Sequence, residues 1–299
     1  MSAHPTRNVL GVGIGRKITK GRITAKPCVR LYLEHKIDRA LIPRDLLLPP
    51  SIGDVETDII ETGPLRALAA VPAGRKRVRP LRPGCSIGFH FTDAEVGNLM
   101  AGTLGAIVEA DGLRFLLSNN HVLANENRLP VGTAIFQPGP LDGGGTEDDR
   151  VATLARFVAL AEDAPNAVDC ALATVDDATA VRATVLPRVG RLASPEPVDA
   201  ALGMTVEKTG RATGYTTGTV HDVSATVTVQ FDIGRLVFED QVLITGDGGL
   251  FCDGGDSGSL VVDRESSRAT GLLFGGGREF GIVNHLGDVL SRLAVKLVV

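Results

Sequence analysis

The sequence predicts a mainly β fold, in which many short strands close into paired barrels or pack as a sandwich. From residue 85 onward, short apolar runs alternate with glycine-rich turns, and the 299-residue chain contains 36 glycines. Frequent turns between short apolar runs are typical of antiparallel barrels and sandwiches. A chain of this length also has room for two units with an ample core.

Residues 1–74 predict a small α/β module that precedes the main β region. Residues 9–15, 28–33 and 55–61 have the composition of strands, and residues 39–48 have the spacing of a helix that ends before two prolines. The closely spaced glycines over residues 11–15 lack a third glycine at the spacing of a nucleotide-binding loop and lack the helix that follows such a loop, so a glycine-rich strand is the better interpretation.

Residues 75–84 predict a linker between this module and the main unit, residues 85–299. The segment holds the densest basic cluster of the chain and two prolines. A basic run of this kind is typically a solvated surface, and the alternative is a site of self-cleavage or regulation.

The main unit contains ten short apolar runs that predict strands. A closing helix over residues 286–296 follows from apolar positions at helical spacing, Leu286, Val289, Leu290 and Leu293. The predicted strands are 105–109, 115–117, 133–137, 171–175, 206–208, 226–231, 236–238, 260–262, 271–274 and 282–283.

Composition and charge exclude several classes of protein. The formal net charge is −4, so a nucleic-acid partner has little electrostatic support, and no apolar stretch approaches the ~18 residues of a membrane helix. No secretory signal is visible, and the cysteines lack the spacing of a zinc site. We therefore expect a cytoplasmic protein with no cofactor and with free thiols, although a bridge between the last two cysteines stays open. The cysteines are Cys28, Cys85, Cys170 and Cys252.

Three segments carry residue types suited to nucleophilic catalysis. In Gly255-Asp-Ser-Gly258 the glycines let the backbone turn sharply and present N–H groups beside Ser257. His121 ends an apolar run, and Asp169 opens another, where a charge is costly unless it is paired. The chain order His, Asp, Ser is the order of one known triad arrangement and differs from two others.

These segments resemble the chymotrypsin-fold (trypsin-like) serine peptidases. Asn120-His-Val-Leu-Ala124 is similar to the histidine box of that family, Asp169-Cys-Ala-Leu172 to the aspartate box, and Gly255-Asp-Ser-Gly-Ser259 to the serine box. The resemblance covers about residues 84–292 and is greatest to an intracellular-type branch from bacteria and plants, in which an α/β segment precedes the barrels. It implies a double β-barrel of chymotrypsin type with a C-terminal helix.

The resemblance also implies a role for each site residue. Ser257 is the expected nucleophile, His121 the general base, and Asp169 the group that fixes the histidine tautomer. The N–H groups of Gly255 and Ser257 are the expected oxyanion hole. Asp256, beside the nucleophile, is expected to be partly buried and to bond to a side chain or a backbone N–H.

Substrate-binding residues follow from the same resemblance. Phe251 or Cys252 is expected near the floor of the main specificity pocket, with Asp253 close by. Phe274, Gly275 and Gly276 lie in the segment that resembles the strand beside bound substrate, and Gly276 is expected to pair with the substrate backbone. An apolar or small residue before the cleaved bond is the expected preference.

The leading functional hypothesis is a serine endopeptidase acting on a protein or peptide substrate. The alternative is a latent or inactive scaffold of the same fold, which binds regulatory protein partners through its N-terminal module. An esterase using the same site is a third hypothesis. Homo-oligomer formation is left open by the sequence.

Overall fold

The computed structural model describes residues 8–19, 22–63, 65–67, 76–90, 100–177, 181 and 183–299. Strands dominate this part of the chain, which confirms the predicted mainly β class. The strands are β1 (Val9–Thr19), β2 (Arg22–Leu33), β3 (Ser51–Ile52), β4 (Val55–Glu61), β5 (Arg66–Ala67), β6 (Ser86–Ile87), β7 (Gly102–Thr103), β8 (Ala106–Ala110), β9 (Leu113–Ser118), β10 (Ala134–Phe136), β11 (Arg150–Phe157), β12 (Ala171–Val175), β13 (Val185–Leu186), β14 (Gly190–Arg191), β15 (Thr205–Gly210), β16 (Gly214–Phe231), β17 (Gly234–Gly246), β18 (Leu260–Asp263), β19 (Ala269–Gly276), β20 (Gly281–His285) and β21 (Lys296–Leu297). The α-helices are α1 (Asn120–Leu123) and α2 (Leu286–Leu293).

The first barrel is a six-stranded sheet in the order β10-β11-β12-β9-β8-β21, beside the β6–β7 pair. A bridge between Gly88 and Phe136 brings the end of β6 against β10. Side chains alternate along each strand, since successive residues of a strand point to opposite faces. On β9, Leu116 packs in the core of this barrel, whereas Leu117 packs in the layer that contacts the second barrel.

The second barrel closes on itself in the order β15-β18-β19-β20-β17-β16, because β15 also pairs with β16. Each of these six strands contributes residues to its core, including Val206, Val220, Val261 and Leu273. The helix α2 covers the layer between the two barrels with its apolar face, as its predicted spacing requires.

The helix α2 is shorter than the predicted 286–296. It ends at Leu293 because Ala294 adopts a left-handed conformation, with φ of 49°. The chain then forms β21, which pairs with β8 of the first barrel.

The N-terminal strands extend the second barrel's sheet. β1 pairs with the distal half of β16, and β2, β4 and β3 follow in that order, with β2 and β4 parallel. The predicted helix over 39–48 is wrong, since two 3-10 turns, Arg39–Leu41 and Arg44–Leu46, occupy this segment. Pro43 explains the break, because proline removes a backbone N–H and disfavours the helical conformation of the residue before it.

The described part of the basic linker is bound to the first barrel. The backbone N–H of Val78 donates to Gln137 Oε1 at 2.9 Å, and Arg79 Nη1 donates to the same oxygen at 2.5 Å. Arg77 forms a longer ion pair of 3.8 Å with Asp149. Lys76, Arg77 and Arg79 are exposed to solvent, as expected of a solvated linker, and these contacts add an attachment to the first barrel that the sequence did not indicate. The predicted boundary at 74–75 lies outside the described residues.

Candidate active site

His121 and Asp169 lie at one end of the first barrel's sheet. β9 and β12 are antiparallel with Ser118 opposite Ala171, so the segment that leaves β9 and the segment that enters β12 are adjacent. The single turn of α1 after β9 carries His121, whose Nδ1 lies 2.5 Å from Asp169 Oδ2. Both side chains are buried. Burial of this carboxylate is acceptable because its oxygens are hydrogen-bonded.

The Asp169 carboxylate also holds the backbone of α1. Its Oδ1 accepts from the N–H of Asn120 at 2.7 Å and from the N–H of His121 at 3.3 Å. Asn119 Nδ2 donates to the carbonyl of Asp169, and Asn284 Oδ1 accepts from its N–H. Sequence reasoning missed these asparagine roles, although the Asn-Asn pair before His121 was the visible signal.

The imidazole of His121 is covered on one face by an aromatic chain. The ring of Phe231, at the end of β16, lies edge-on with 5.9 Å between centroids, and Phe231 in turn stacks on Phe238. The Nε2 atom is buried and has no hydrogen-bond partner within the described part of the chain. This nitrogen is the atom that a general base would use.

The loop that carries Ser257 is a tight turn stabilised by its own backbone. The N–H groups of Asp256 and Ser259 donate to the carbonyls of Asp253 and Asp256, both at 3.0 Å. Gly255 and Gly258 have positive φ angles of 96° and 92°, which glycine adopts at low cost. The Ser257 hydroxyl is buried and donates to the carbonyl of Phe274 at 3.3 Å.

The serine loop and the helix α1 meet between the two barrels. A Cβ added to Gly258 would lie 2.2 Å from Ser118 Oγ, and one added to Gly102 would lie 2.5 Å from Val122 Cγ2 and 3.1 Å from the carbonyl oxygen of Ser257. Because Val122 follows His121 directly, these close approaches place the His121–Asp169 pair next to the Ser257 loop.

Asp256 forms the centre of a buried cluster that sequence reasoning did not assign. Lys208 Nζ on β15 lies 2.9 Å from Asp256 Oδ2, and both side chains are fully buried. Thr213 Oγ1 donates to the same oxygen, and the N–H groups of Ala212 and Thr213 donate to Oδ1. The prediction that Asp256 bonds to a side chain or a backbone N–H is confirmed, and Lys208 is the cation that neutralises it.

A second buried ion pair lies against Gly255. Arg211 donates from Nε to Asp142 Oδ2 at 2.5 Å and from Nη2 to Oδ1 at 2.7 Å, with both side chains fully buried. A Cβ added to Gly255 would lie 2.1 Å from Arg211 Nη1. Thr103 Oγ1 donates to the carbonyl of Gly255 at 2.9 Å, which fixes the orientation of this part of the loop.

The predicted substrate-binding residues fall into two groups. Cys252 and Gly276 line a cleft of 670 Å³, whose wall also includes Asp253 and residues at and just beyond the ends of β2 and β4. Phe251 and Phe274 pack instead in apolar cores. The full lining is His35, Glu61, Thr62, Gly63, Leu250, Cys252, Asp253, Gly276, Gly277, Arg278 and Glu279.

Cys252 narrows this cleft beside Gly276. A Cβ added to Gly276 would lie 2.8 Å from Cys252 Sγ, so the thiol is packed against that backbone. Burial raises the pKa of Cys252 to about 12, so the thiol is protonated at neutral pH. All four cysteines are free, and the Cys170–Cys252 bridge left open by the sequence is absent from the described structure. Gly275 and Gly276 pair with β5 of the same chain.

Comparison with known proteins gives a family model and several curated relatives, among them one from rice. Residues 155–288 match the model of the Nal1 C-terminal domain. The rice protein Narrow Leaf 1 (Oryza sativa subsp. japonica) is 25% identical over 345 residues, which cover 97% of this chain and 57% of the rice protein. The chain therefore spans little more than half the length of this relative.

Solved structures of serine proteases show the same fold. Thermobifida fusca Protease A is 18% identical and covers 73% of this chain and 97% of its own, with a TM-score of 0.51. A glutamic acid specific serine protease, described as using a histidine triad in substrate binding, is 19% identical, covers 73% of this chain and all of its own, and has a TM-score of 0.51. These likenesses confirm the chymotrypsin-type double β-barrel with a C-terminal helix. Among the described residues no helix has the length and apolar character to cross a membrane.

Proposed function

We propose that the protein is a serine endopeptidase that cleaves peptide bonds with Ser257, His121 and Asp169. The observation that carries this proposal is the buried His121–Asp169 pair, whose Nε2 has no partner in the described residues and which adjoins the Ser257 loop. A peptidase fold supplies the framework. A histidine oriented by a buried carboxylate beside a serine is the arrangement that activates a hydroxyl as a nucleophile.

In the proposed mechanism Ser257 Oγ attacks the peptide carbonyl while His121 Nε2 accepts its proton. Asp169 holds the Nδ1–H tautomer and stabilises the imidazolium. The N–H groups of Gly255 and Ser257 receive the oxyanion. His121 then protonates the leaving amine, and water hydrolyses the acyl-enzyme by the same steps in reverse. The hydroxyl of Ser257 must first rotate away from the carbonyl of Phe274, to which it donates at 3.3 Å.

The proposed substrate is an extended peptide that pairs with Gly275 and Gly276 at the edge of β19. Cys252 reduces the room beside Gly276, which favours a small or apolar side chain before the cleaved bond. Phe251 supports this wall from the core of the second barrel. The cytoplasmic location, a regulatory partner at the N-terminal strands and a homo-oligomer remain parts of the proposal.

A latent scaffold is the second candidate function, and two contacts favour it. The Ser257 hydroxyl donates to Phe274, and the edge of β19 is occupied by β5. Under this alternative the fold binds protein partners while the serine remains unreactive.

Labelling with a fluorophosphonate probe separates the two functions. We expect the wild type to be labelled and Ser257→Ala to be unlabelled, while His121→Ala labels about 10⁴-fold or more slowly, because members of a triad act as a unit. The labelling rate of Asp169→Asn should be about 10⁴-fold lower than that of the wild type, because the amide favours the wrong tautomer of the histidine.

His90→Ala is the matched control, since this histidine contacts the carbonyl of Gly145 and the ring of Phe136 instead. It should label at the wild-type rate. Folded wild-type protein that takes up no probe would support the scaffold, and equal labelling of wild type and His121→Ala would remove His121 from the mechanism.

A further inference from the structure

The edge of β19 beside Ser257 already holds a strand from the N-terminal part of the same chain. β5 pairs antiparallel with β19, with Ala67 opposite Gly275 and Arg66 opposite Gly276. On its other side β5 pairs with β16, where Arg66 lies opposite Gln230. The backbone of this segment is therefore bound on both sides.

The direction of β5 is that of a peptide presented to the serine. From Arg66 to Ala67 the strand passes from Gly276 to Gly275, and so toward Phe274, the residue whose carbonyl lies 3.3 Å from Ser257 Oγ. An extended peptide that adds to this edge in the antiparallel sense must run the same way if its next carbonyl is to reach the nucleophile.

The segment before β5 is anchored in the protein core. Leu65 is 5% exposed and packs in the cluster that also contains Phe274 and Phe280. The N–H of Gln230 donates to the carbonyl of Leu65 at 3.0 Å. The next residue on β16, Phe231, contacts the ring of His121. β5 therefore lies between β16, on the side of the histidine, and β19, on the side of the serine loop.

We propose that residues 65–67 form an intramolecular strand that occupies the substrate-binding edge of β19 and must be displaced before another extended peptide can bind. This inference rests on the proposed function for the identity of that edge. An added peptide competes with a tethered strand whose effective concentration is of the order of millimolar. The free site is therefore largely closed to peptides at micromolar concentration.

Peptide binding to an inactive parent tests the occupancy directly. The parent is Ser257→Ala, and the probe is a fluorescein-labelled peptide with the sequence of residues 62–69, followed by anisotropy. Arg66→Pro with Ala67→Pro removes the backbone N–H groups of β5, because proline has no N–H and is excluded from strands paired on both sides. We expect the affinity for the probe to rise about tenfold or more once the tethered competitor is released.

The matched control is Ser51→Pro with Ile52→Pro in β3, an exposed strand of the same length whose one partner among the described strands is β4. It should bind the probe as weakly as the parent. Equal affinity in the parent, the β5 variant and the control would overturn the proposal.

A measurement on the unaltered chain does not depend on the folding of any variant. The labelling rate with a diphenyl phosphonate that carries leucine alone is compared with the rate for a diphenyl phosphonate that carries the tetrapeptide Leu-Arg-Ala-Leu. We expect the extended probe to show little advantage, since its strand pairing is blocked, whereas an advantage of about 100-fold or more would mean an open edge. Failure of all labelling together with a gain of peptide affinity in the β5 variant would overturn the peptidase and leave the occupied edge intact.

Discussion

Two buried charge clusters in this protein differ in how completely they are satisfied. In the loop cluster, Lys208 and Asp256 are fully buried, and both oxygens of the carboxylate accept hydrogen bonds. The second cluster, the junction cluster, contains Arg30 on β2 and Asp222 on β16, with β1 lying between these two strands. Its Arg30 Nε and Asp222 Oδ1 atoms have no partner within the described residues. The carboxylate beside the serine thus has partners on both oxygens, whereas the carboxylate of the junction cluster does not.

The ionisable groups of the junction cluster have shifted pKa values with opposite effects. Burial raises the pKa of Asp222 to about 6, although the hydrogen bond from Tyr32 and the charge of Arg30 act to lower it. Burial, and then the charge of Arg30, lower the pKa of His221 to about 4. Where the N-terminal strands join the barrel, the charge of the Asp222 carboxyl therefore changes between about pH 4 and neutral pH.

The largest expected effect comes from removing the cation of the loop cluster. Lys208→Met leaves Asp256 buried without its charge partner, which should lower the free energy of unfolding by about 3–5 kcal/mol. Urea unfolding measures this change, and probe labelling of the folded fraction should fall with it. Lys17→Met is the control, because its pair with Glu56 is partly exposed and screened by solvent, so the loss of stability should be much smaller than that in Lys208→Met. Equal losses in the two variants would contradict the distinction between buried and surface pairs.

Two glycine substitutions compare the clusters by steric means. Gly255→Ala places a methyl against Arg211 and requires a positive φ, so the loop should shift and labelling should fall by about 10²–10³. Gly15→Ala places a methyl 2.6 Å from Arg30 Cζ at the junction, and should cost about 1–3 kcal/mol of stability while labelling is unchanged. Stopped-flow labelling and urea unfolding of both variants give the comparison. A loss of labelling in Gly15→Ala equal to that in Gly255→Ala would mean that the two regions are not independent.

The junction should also respond to pH in a way that single substitutions reveal. A raised carboxyl pKa means that the folded state keeps its proton longer than the unfolded state, so the Asp222 contribution to stability falls as pH rises from about 4 to about 6. Asp222→Asn removes this loss. The free energy of unfolding of the variant, measured relative to the wild type, should therefore be up to about 3 kcal/mol higher at pH 7 than at pH 4. Urea unfolding at several pH values measures it, and a difference that does not vary with pH would argue against a buried, protonated Asp222.

His221 should show the opposite trend with a smaller net effect, since its side chain is only half-buried. Its lowered pKa means that the unfolded state binds the extra proton, so its contribution to stability is lost as pH falls from about 6.5 toward 4. The stability of His221→Asn relative to the wild type should therefore be higher at pH 4.5 than at pH 7. Thermal unfolding at the two pH values is sufficient, and a matching shift at both would exclude this titration.

The sequence indicated the candidate triad residues more readily than the residues that hold them. Ser257, His121 and Asp169 stand in short motifs whose neighbours are local, so each could be recognised without knowledge of distant contacts. Lys208 could not be assigned to Asp256, because 48 residues separate them and only the pairing of β15 with β18 brings them together. Tertiary context decides such pairings, and no local pattern encodes them.

The N-terminal region shows the same limit. The strands over 9–15, 28–33 and 55–61 were recognisable by their composition, but their continuity with the barrel was not. β5 contains only two residues, and its existence depends on two partners far along the chain. The helix predicted over 39–48 failed because local spacing outweighed the effect of Pro43 in the prediction.

The length of β16 joins the N-terminal strands and the second barrel into one sheet. Its first half pairs with β15 inside the barrel, and its second half pairs with β1 through Thr226 and Val227, so one uninterrupted backbone spans both. A chain shortened by its first 63 residues would expose a row of amide groups along half of this strand, and such open edges promote pairing between molecules. Phe231 at the end of this strand contacts the ring of His121, so loss of β1 should also disturb the residues that surround the histidine.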